Sequence, residues 1–282
     1  MPSDHNLIVY RPELSWGGFF GVWREMIRNV VSSRGLSWRL FVRDFSVRYK
    51  QTLLGPAWAV LTPVITVAAF MALNQSGVMS LGTSSIPYPV FAMVGLTVWT
   101  LFSGGLIGAS RSLVQASSFI SKIRFPREAL VLSSQGTVLV DFFIRAVLTA
   151  IVFAWHGVAP QWTILLVPVV LVPLVLITLG IGLGLALVNA VVRDIENGVT
   201  VVIGLFFFLT PVMYPPPTEG FVARLAAYNP LAVIIQSVRD LVFVGALSQP
   251  IELAVVTVFA LALFLASWRT FFMLESLVAE RI

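Results

Sequence analysis

The chain has 282 residues, of which 58% are hydrophobic and 11% are charged, with a formal net charge of +5 and no cysteine. Soluble domains carry about 25% charged residues, so the composition excludes an ordinary soluble protein and predicts an all-α integral membrane protein. The lack of cysteine excludes disulfides and thiol chemistry. The basic residues cluster beside apolar stretches, which favours anionic lipid, and no nucleic acid, as their partner.

The N-terminal part of the chain is more polar than the rest. Residues 1–15 form a polar tail, and the apolar residues that follow recur at helical spacing with charges on the opposite side. This pattern predicts an amphipathic helix in the membrane interface, a break at Ser32, Ser33 and Gly35, and a second helix from Leu36 to Lys50. Membrane anchoring and a specific grip on a partner or a lipid head group both remain open for these helices.

The sequence changes from charged to apolar just after residue 50, which predicts a passage from the membrane interface into hydrocarbon. No charged residue occurs from that point until Arg111. Arg43, Arg48 and Lys50 suit the lipid head-group layer, and the apolar residues after them suit hydrocarbon. The predicted boundaries are 1–50 for the cytoplasmic tail and interfacial helices and 51–282 for the membrane domain.

A helix needs about 20 apolar residues to cross a bilayer, and the sequence predicts six such spans. They lie at roughly 53–73, 88–110, 129–154, 162–188, 198–213 and 251–272. The fifth span is short and runs into three consecutive prolines, which cannot continue a helix. The interrupted apolar segment 214–247 predicts a re-entrant hairpin of two short helices on the outer side, whose non-helical backbone must be buried in protein or line a wet cavity.

The distribution of Lys and Arg predicts the orientation. Fifteen lie on one side of the predicted spans, two lie in the 214–247 segment on the other side, and Arg145 lies inside the third span. Cytoplasmic loops carry the excess of Lys and Arg. Both termini are therefore predicted to be cytoplasmic.

Motifs for catalysis are missing from the sequence. His5 and His156 have no second ligand at metal spacing. Neither a Gly-rich phosphate-binding loop ending in Lys-Ser/Thr nor a G-x-S-x-G turn occurs. The sequence therefore weighs against an enzyme, and it predicts no catalytic residue, metal or cofactor in this chain.

Asp141 and Arg145 are a pair of opposite charges inside the third predicted span. Their i, i+4 spacing places them on one helical face. A charge at the middle of a bilayer is costly, so we expect the two to neutralise each other and to face protein or water. A structural ion pair is the favoured interpretation, because one pair with no further acid or histidine makes a poor proton relay. A relay or a substrate contact is the alternative.

The predicted cytoplasmic loop from Val114 to Glu128 contains a short basic helix. Ser117 and Ser118 can cap this helix, and Pro126 ends it. The residue chemistry leaves two interpretations open. The helix is either a projection that fits a partner's groove or a solvated connection between two spans.

Aromatic residues recur in the first two predicted spans, at Trp58, Phe70, Phe91, Trp99 and Phe102. Aromatic rings stack on sugar faces, which makes these residues candidates for lining a glycan path. However, Trp at membrane interfaces and Phe in lipid are common. The residues alone therefore favour ordinary membrane packing.

Six blocks of sequence, in one order, resemble the ABC-2 type permeases that export polysaccharides, the transmembrane subunits for O-antigen, capsule and teichoic acid. The blocks are RDFSVRYKQTLLGPAWAVLTP (43–63), PYPVFAMVGLTVWTLF (87–102), SSFISKIRFPREAL (117–130), RDIENGV (193–199), TPVMYP (210–215) and YNPLAVIIQSVRDLVF (228–243). Each block alone is a weak signal, whereas six in register are specific. The resemblance extends from about Trp38 to Phe272.

The resemblance implies a transport subunit in the bacterial cytoplasmic (inner) membrane. It implies a homodimer of this permease with two copies of a separate ABC ATPase, which binds ATP and Mg²⁺. It gives residues 117–126 the role of a coupling helix seated in that ATPase, and the interfacial helices a docking and gating role. The implied coupling residues are Ser118, Phe119, Ile120, Lys122, Arg124 and Phe125.

The resemblance also implies a cargo, a polysaccharide such as O-antigen or another lipopolysaccharide component, linked to polyprenyl pyrophosphate. Its anionic head is expected to meet Arg43, Arg48 and Lys50. Aromatic side chains become candidates for channel lining. These candidates are Trp58, Phe70, Trp99 and Phe102.

Three alternatives to this function stay open. The first is an ABC-2 permease for a drug or a free lipid, which neighbouring glycosyltransferase genes would argue against. The second is a membrane glycosyltransferase, which needs clustered carboxylates that Asp44 and the scattered acids do not supply. The third is a secondary transporter, which normally shows broken spans in matching halves, whereas one broken region occurs here.

Overall fold

The computed structural model describes residues 19–50, 57–76, 86–117, 125–216 and 220–279. Every regular element in these ranges is helical, which confirms the all-α expectation for them. The α-helices are α1 (Phe19–Lys50), α2 (Ala57–Gln75), α3 (Tyr88–Gln115), α4 (Glu128–Trp155), α5 (Val167–Val170), α6 (Val172–Val191), α7 (Ile195–Leu209), α8 (Gly220–Tyr228), α9 (Pro230–Arg239) and α10 (Pro250–Ala279). A 3₁₀ turn at Trp162–Leu166 precedes α5, and a π-turn at Asp240–Val244 follows α9.

Four helical stretches within the described ranges are long and apolar enough to cross a membrane, so the chain is multi-pass. They are Tyr88–Gln115, Glu128–Trp155, Trp162–Val191 and Pro250–Glu275. They correspond to the second, third, fourth and sixth predicted spans. The apolar parts of α2 and α7 are shorter. At 1.5 Å per residue, α7 covers only about 22 Å of a hydrocarbon layer about 30 Å thick, and the first and fifth crossings stay predictions.

One long amphipathic helix, α1, replaces the two helices predicted before the membrane domain. The expected break at Ser32, Ser33 and Gly35 is wrong, because α1 continues through these residues. The hydroxyls of Ser32 and Ser33 donate to the carbonyls of Asn29 and Val30, at 3.0 and 3.2 Å. Both serines are therefore satisfied inside the helix. A single glycine inside a helix costs only about 1 kcal/mol, which packing of α1 against α4 can offset.

Helix α3 is the centre of the bundle. It packs against α4 and α6 and also contacts α2, α7 and α9. Gly105 on α3 permits this close packing, because a Cβ there would lie 2.4 Å from Thr178 Cγ2 and 2.9 Å from Gln135 Oε1. The Gln135 amide donates to the Gly105 carbonyl at 3.0 Å. A polar contact and a small residue therefore fix α4 and α6 on α3.

The buried apolar residues form two clusters. The larger one surrounds α3 and includes Met93, Leu174 and Ile234. The smaller one, with Leu113 and Phe271, joins α3, α4, α6 and α10 at the end of the bundle that is predicted to face the cytoplasm. This end is called the inner end below, and the opposite end is called the outer end.

Between α7 and α10 the chain forms two short helices, α8 and α9, as the sequence predicts for 214–247. Pro215 and Pro216 lie outside any helix. Asn229 caps α9, since its Oδ1 accepts the Leu231 N–H at 2.9 Å. The π-turn after α9 ends at Gly245, with φ of +90°. The two short helices are confirmed, and their re-entry into the membrane stays a prediction.

Replacing Gly35 by alanine should stabilise the protein slightly, by about 0.5–1 kcal/mol, because alanine suits a helix interior better than glycine. The added Cβ meets nothing within 4 Å. Gly157→Ala is the matched control, since its site is equally open but has φ of +65°, where alanine is strained. Thermal unfolding in detergent should show a higher or equal melting temperature for Gly35→Ala and a lower one for Gly157→Ala. A drop for Gly35→Ala would contradict the continuous helix.

Candidate functional site

Arg239, at the end of α9, is a buried cation at the outer end of the bundle, with 3% of its surface exposed. Its Nη1 donates to the carbonyl of Pro211 at 2.8 Å, and its Nη2 donates to the carbonyl of Val212 at 2.5 Å. The guanidinium carbon lies 3.7 Å from the centre of the Phe91 ring. Helix α7 ends at Leu209, so the carbonyls that follow lack helical partners. Arg239 supplies those partners.

The absence of a side chain at Gly95 makes this arrangement possible. A Cβ on Gly95 would lie 2.2 Å from the Val212 oxygen and 2.5 Å from Arg239 Nη2. No other residue fits without displacing the backbone after α7. Gly95 and Phe91 both lie on α3, one turn apart, so α3 forms the wall against which Arg239 and the end of α7 are held.

Hydrogen bonds around Arg239 join the segments on either side of it. Asp240 accepts from the Gln236 amide at 2.8 Å, from the Ser248 N–H at 2.8 Å and from the Ser248 hydroxyl. The Asn229 amide donates to the Thr210 hydroxyl oxygen at 2.9 Å. Together with Arg239, these residues are called the outer polar cluster. It ties the end of α7 to both ends of α9.

The hydroxyl of Tyr214 makes a further contact in the irregular segment after α7. It donates to the Phe208 carbonyl at 2.6 Å, and burial raises the pKa of Tyr214 above its ordinary value. The hydroxyl therefore stays protonated at physiological pH and remains a donor. The last turn of α7 is thus also capped from the residues that directly follow it.

An inner polar cluster holds the opposite end of α7. Asn189 on α6, 1% exposed, donates to the Ser110 carbonyl at 2.8 Å and accepts the Glu196 N–H at 3.1 Å. The Glu196 carboxylate pairs with Arg111 of α3, with 2.8 Å between Oε1 and Nε. A partly exposed pair contributes little energy, but Asn189 is buried and uses both its amide nitrogen and its amide oxygen. The first turn of α7 is therefore fixed to both α3 and α6.

An apolar cavity of about 420 Å³ lies behind the middle of α7. Its walls come from α3, α6 and α7 and include Phe102, Leu106, Ile181, Leu185 and Ile203. Protein interiors normally contain few voids larger than a water molecule. The inward side of α7 therefore borders apolar space that its side chains do not fill.

A third group, the basal cluster, lies at the start of α4, directly after the predicted coupling helix. Glu128 is 2% exposed, and its Oε1 accepts from the indole N–H of Trp268 at 3.1 Å. The Arg127 N–H donates to the Glu275 carboxylate at 3.3 Å. Trp268 also meets the edge of Trp23, with 6.1 Å between ring centres. These contacts join the start of α4 to α10, and α10 to α1.

The predicted coupling residues fall mostly outside the described part of the chain. This is the case for Ser118, Phe119, Ile120, Lys122 and Arg124. Phe125 is described, is half-buried and packs against the smaller apolar cluster. The coupling role stays a prediction for all six residues.

The predicted head-group residues lie in the second half of α1. Arg43 is partly exposed and pairs with Asp44, with 2.7 Å between Nη2 and Oδ1. Arg48 and Lys50 lie in the last turn of α1, and their side chains are outside the described part of the chain. The head-group role stays a prediction for these three residues.

Asp141 and Arg145 lie on α4, one turn apart, as the sequence predicts. Both are half-buried, and each takes part in at least one interaction. The interpretation as a structural ion pair stays a prediction.

The aromatic candidates for channel lining have different surroundings. Trp99 and Phe102 are buried in the core around α3, and Phe102 also borders the cavity behind α7. Phe70 is half-buried against Phe207, with 6.2 Å between ring centres. Trp58 is 51% exposed. The lining role stays a prediction, and the exposed Trp58 is its best placed candidate.

The sequence interpretation did not identify Arg239, Asn189 or Glu128 as site residues. In the sequence Arg239 is one of the two basic residues of the apolar segment 214–247. A charge in such a stretch is itself a signal, because intramembrane charges usually have a function or a specific partner. Asn189 and Glu128 carry no comparable signal, since their contacts with Ser110 and Trp268 span 79 and 140 residues of sequence.

The fold and these clusters define a multi-pass, α-helical membrane protein whose buried polar contacts join helices to one another. The chain belongs to the ABC-2 type transporter family, whose pattern matches residues 36–243. This confirms the predicted family and the expectation of a transport protein that is not an enzyme. The match extends from α1 to the π-turn, so it includes the inner polar cluster and all of the outer polar cluster except Ser248.

Individual relatives are permeases and transport proteins. The chain is 29% identical to the O-antigen export system permease protein RfbA of Myxococcus xanthus, over 78% of this chain and 84% of that protein. It is 30% identical to a protein of the same name from Klebsiella pneumoniae, over 73% of this chain and 79% of that protein. It is 23% identical to the polysialic acid transport protein KpsM of Escherichia coli, over 82% of this chain and 91% of that protein.

Replacing Arg239 by methionine should destabilise the protein by about 2–4 kcal/mol, because two buried carbonyls lose their donors. Gly95→Ala should have a comparable effect, since its Cβ collides with the Val212 carbonyl. The controls are Arg224→Met, at an exposed position of α8, and Gly184→Ala, at an open position of α6. Melting temperatures in detergent should fall by several degrees for the first two variants only. An unchanged melting temperature for Arg239→Met would contradict the role of Arg239 as a structural donor.

Proposed function

We propose that this chain is the membrane subunit of an ATP-driven exporter that moves a polysaccharide across the bacterial cytoplasmic membrane. The observation that carries the proposal is the match to the ABC-2 family together with relatives named for O-antigen export and polysialic acid transport. The strong bias of Lys and Arg supports an orientation with both termini in the cytoplasm.

The energy for transport would come from a separate ATPase. Permeases of this family work with an ATPase partner, and the sequence has no phosphate-binding loop of its own. ATP and Mg²⁺ would bind to the partner, and residues 117–126 would carry its movement into the permease. The basal cluster supports this role, because it fastens the residues directly after that segment to α10 and α1.

The path for the cargo would lie between two copies of the permease. Both α2 and α7 expose apolar residues that no other described part of the chain covers. Those with more than half of their surface exposed include Trp58, Ile65, Val201, Leu205 and Phe208. Because α7 is also too short for a simple crossing, it suits a position next to a second copy better than one surrounded by lipid.

The cargo would be a glycan attached to a polyprenyl pyrophosphate carrier. The second half of α1 is rich in arginine and begins the transition into the membrane, where anionic head groups lie. Arg43, Arg48 and Lys50 would attract the pyrophosphate by charge-assisted hydrogen bonds. Membrane lipid would be the competing ligand of the same basic residues.

Two measurements test this function. Affinity purification of the tagged protein from native membranes, with mass spectrometry, should recover a stoichiometric ATPase. Deletion of the gene should cause lipid-linked glycan to accumulate in the cytoplasmic leaflet. An ATPase without glycan accumulation would indicate a drug or free-lipid permease, and recovery of the chain alone in mild detergent would contradict the ABC assembly.

Replacing Arg48 and Lys50 together by glutamine should reduce glycan export several-fold while the ATPase still co-purifies in normal amounts. The physical reason is the loss of two cations at the depth of the pyrophosphate. Arg28→Gln with Arg34→Gln is the matched control, since it removes two exposed charges from the same helix and should leave export near the wild-type level. An equal loss of export and of ATPase assembly would contradict the head-group role and favour membrane anchoring.

A further inference from the structure

Helix α7 is held by polar contacts at its two ends. At its outer end, Arg239 binds the carbonyls of Pro211 and Val212, and Asn229 binds Thr210. At its inner end, Asn189 accepts the backbone N–H of Glu196. Hydrogen bonds are directional and short, so both ends of α7 have defined positions relative to α3, α6 and α9.

The middle of α7 has no comparable polar contact with any other described part of the chain. The contacts of this part are apolar on the inward side, and apolar contacts impose no direction. Behind it lies the cavity of about 420 Å³ between α3, α6 and α7. An engineered cavity of about 150 Å³ is large enough to admit benzene, so the space behind α7 is large enough to receive several of its side chains.

The outward side of α7 is also uncovered within the described chain. Val201, Leu205 and Phe208 expose about two thirds of their surface. Nothing in the described residues therefore holds the middle of α7 from the outside. Within the described chain, the middle of α7 can therefore change position inward or outward without breaking a hydrogen bond to another helix.

We propose that α7 rocks about its two polar clusters, and that its middle enters the cavity between α3 and α6 to widen the path between two permease copies. Arg239 and Asn189 are then positioning residues, which define the two points about which α7 moves. This inference rests on the proposed transport function. To that function the inference adds α7 as the helix that moves and the cavity between α3 and α6 as the space into which it moves.

The inference predicts that filling the cavity from its fixed wall blocks transport. Ile181→Phe and Leu185→Phe enlarge side chains of α6 that border the cavity and leave the outward face of α7 unchanged. Val188→Phe is the matched control, because Val188 lies on the same helix, is 48% exposed and does not border the cavity.

The experiment uses the complete complex of permease and ATPase, reconstituted in liposomes with lipid-linked glycan. We expect the two cavity-filling variants to lose about tenfold or more in transport, as expected when a conformational step is blocked, with normal assembly. The control variant should transport like the wild type. Wild-type transport by both cavity-filling variants would overturn the inference.

A second measurement does not depend on the cargo or on how well the phenylalanine variants fold. Because the chain has no cysteine, a cysteine pair at Ile203 of α7 and Ile181 of α6, on opposite walls of the cavity, gives a clean oxidative crosslink. We expect the crosslinking rate to change several-fold between nucleotide-free and ATP-hydrolysing complexes. Equal rates in both states would overturn the movement of α7. Failure of the wild-type complex to export glycan would instead refute the proposed cargo, since the crosslink is read without it.

Discussion

The buried guanidinium of Arg239 is the interaction on which the outer end of the molecule depends. A cation at this depth is stable only with several partners, and it finds them in two backbone carbonyls and the face of Phe91. Those carbonyls are available because α7 ends just before them, and the approach is possible because Gly95 has no side chain. One charged group therefore fixes α3, α7 and α9 relative to one another. The prolines that end α7 and the glycine on α3 belong to the same arrangement.

The bilayer explains why a few polar contacts have so much influence. In lipid, apolar helix surfaces gain little by leaving hydrocarbon for one another, so association depends on close packing and hydrogen bonds. The described helices use both kinds of contact. Gly105 allows close packing and accepts a hydrogen bond from Gln135, and Asn189 donates a hydrogen bond to Ser110. The middle of α7 has neither a small residue in tight contact nor a hydrogen bond to a neighbouring helix. The movement proposed for α7 rests on this lack and on the cavity behind it.

The sequence predicted the long spans well, because apolar length is a property of consecutive residues. The second, third, fourth and sixth spans agree with the structure to within a few residues at most ends. The break at Ser32–Gly35 failed because serines at these positions bond to carbonyls of the preceding turn, which propensity alone does not reveal. The charge of Arg239 is visible in the sequence, but its partners are not, since they are backbone carbonyls 27 and 28 residues away and a ring on another helix. The contacts of Asn189 with Ser110 and of Glu128 with Trp268 span 79 and 140 residues and are likewise invisible in the sequence. The coupling role of residues 117–126 came from resemblance, because their chemistry alone fits a simple connection equally well.

The basal cluster gives a physical route from the proposed ATPase to α7. A displacement of residues 117–126 must reach α4 at Arg127 and Glu128, which are bonded to α10 through Glu275 and Trp268. Helix α10 packs along α6, and α6 carries both Asn189, which holds the inner end of α7, and one wall of the cavity. The route therefore connects residues 117–126 to the inner end of α7 through α4, α10 and α6. Such a route suits the proposed transporter, because it ends at the helix that we propose to lie beside the path.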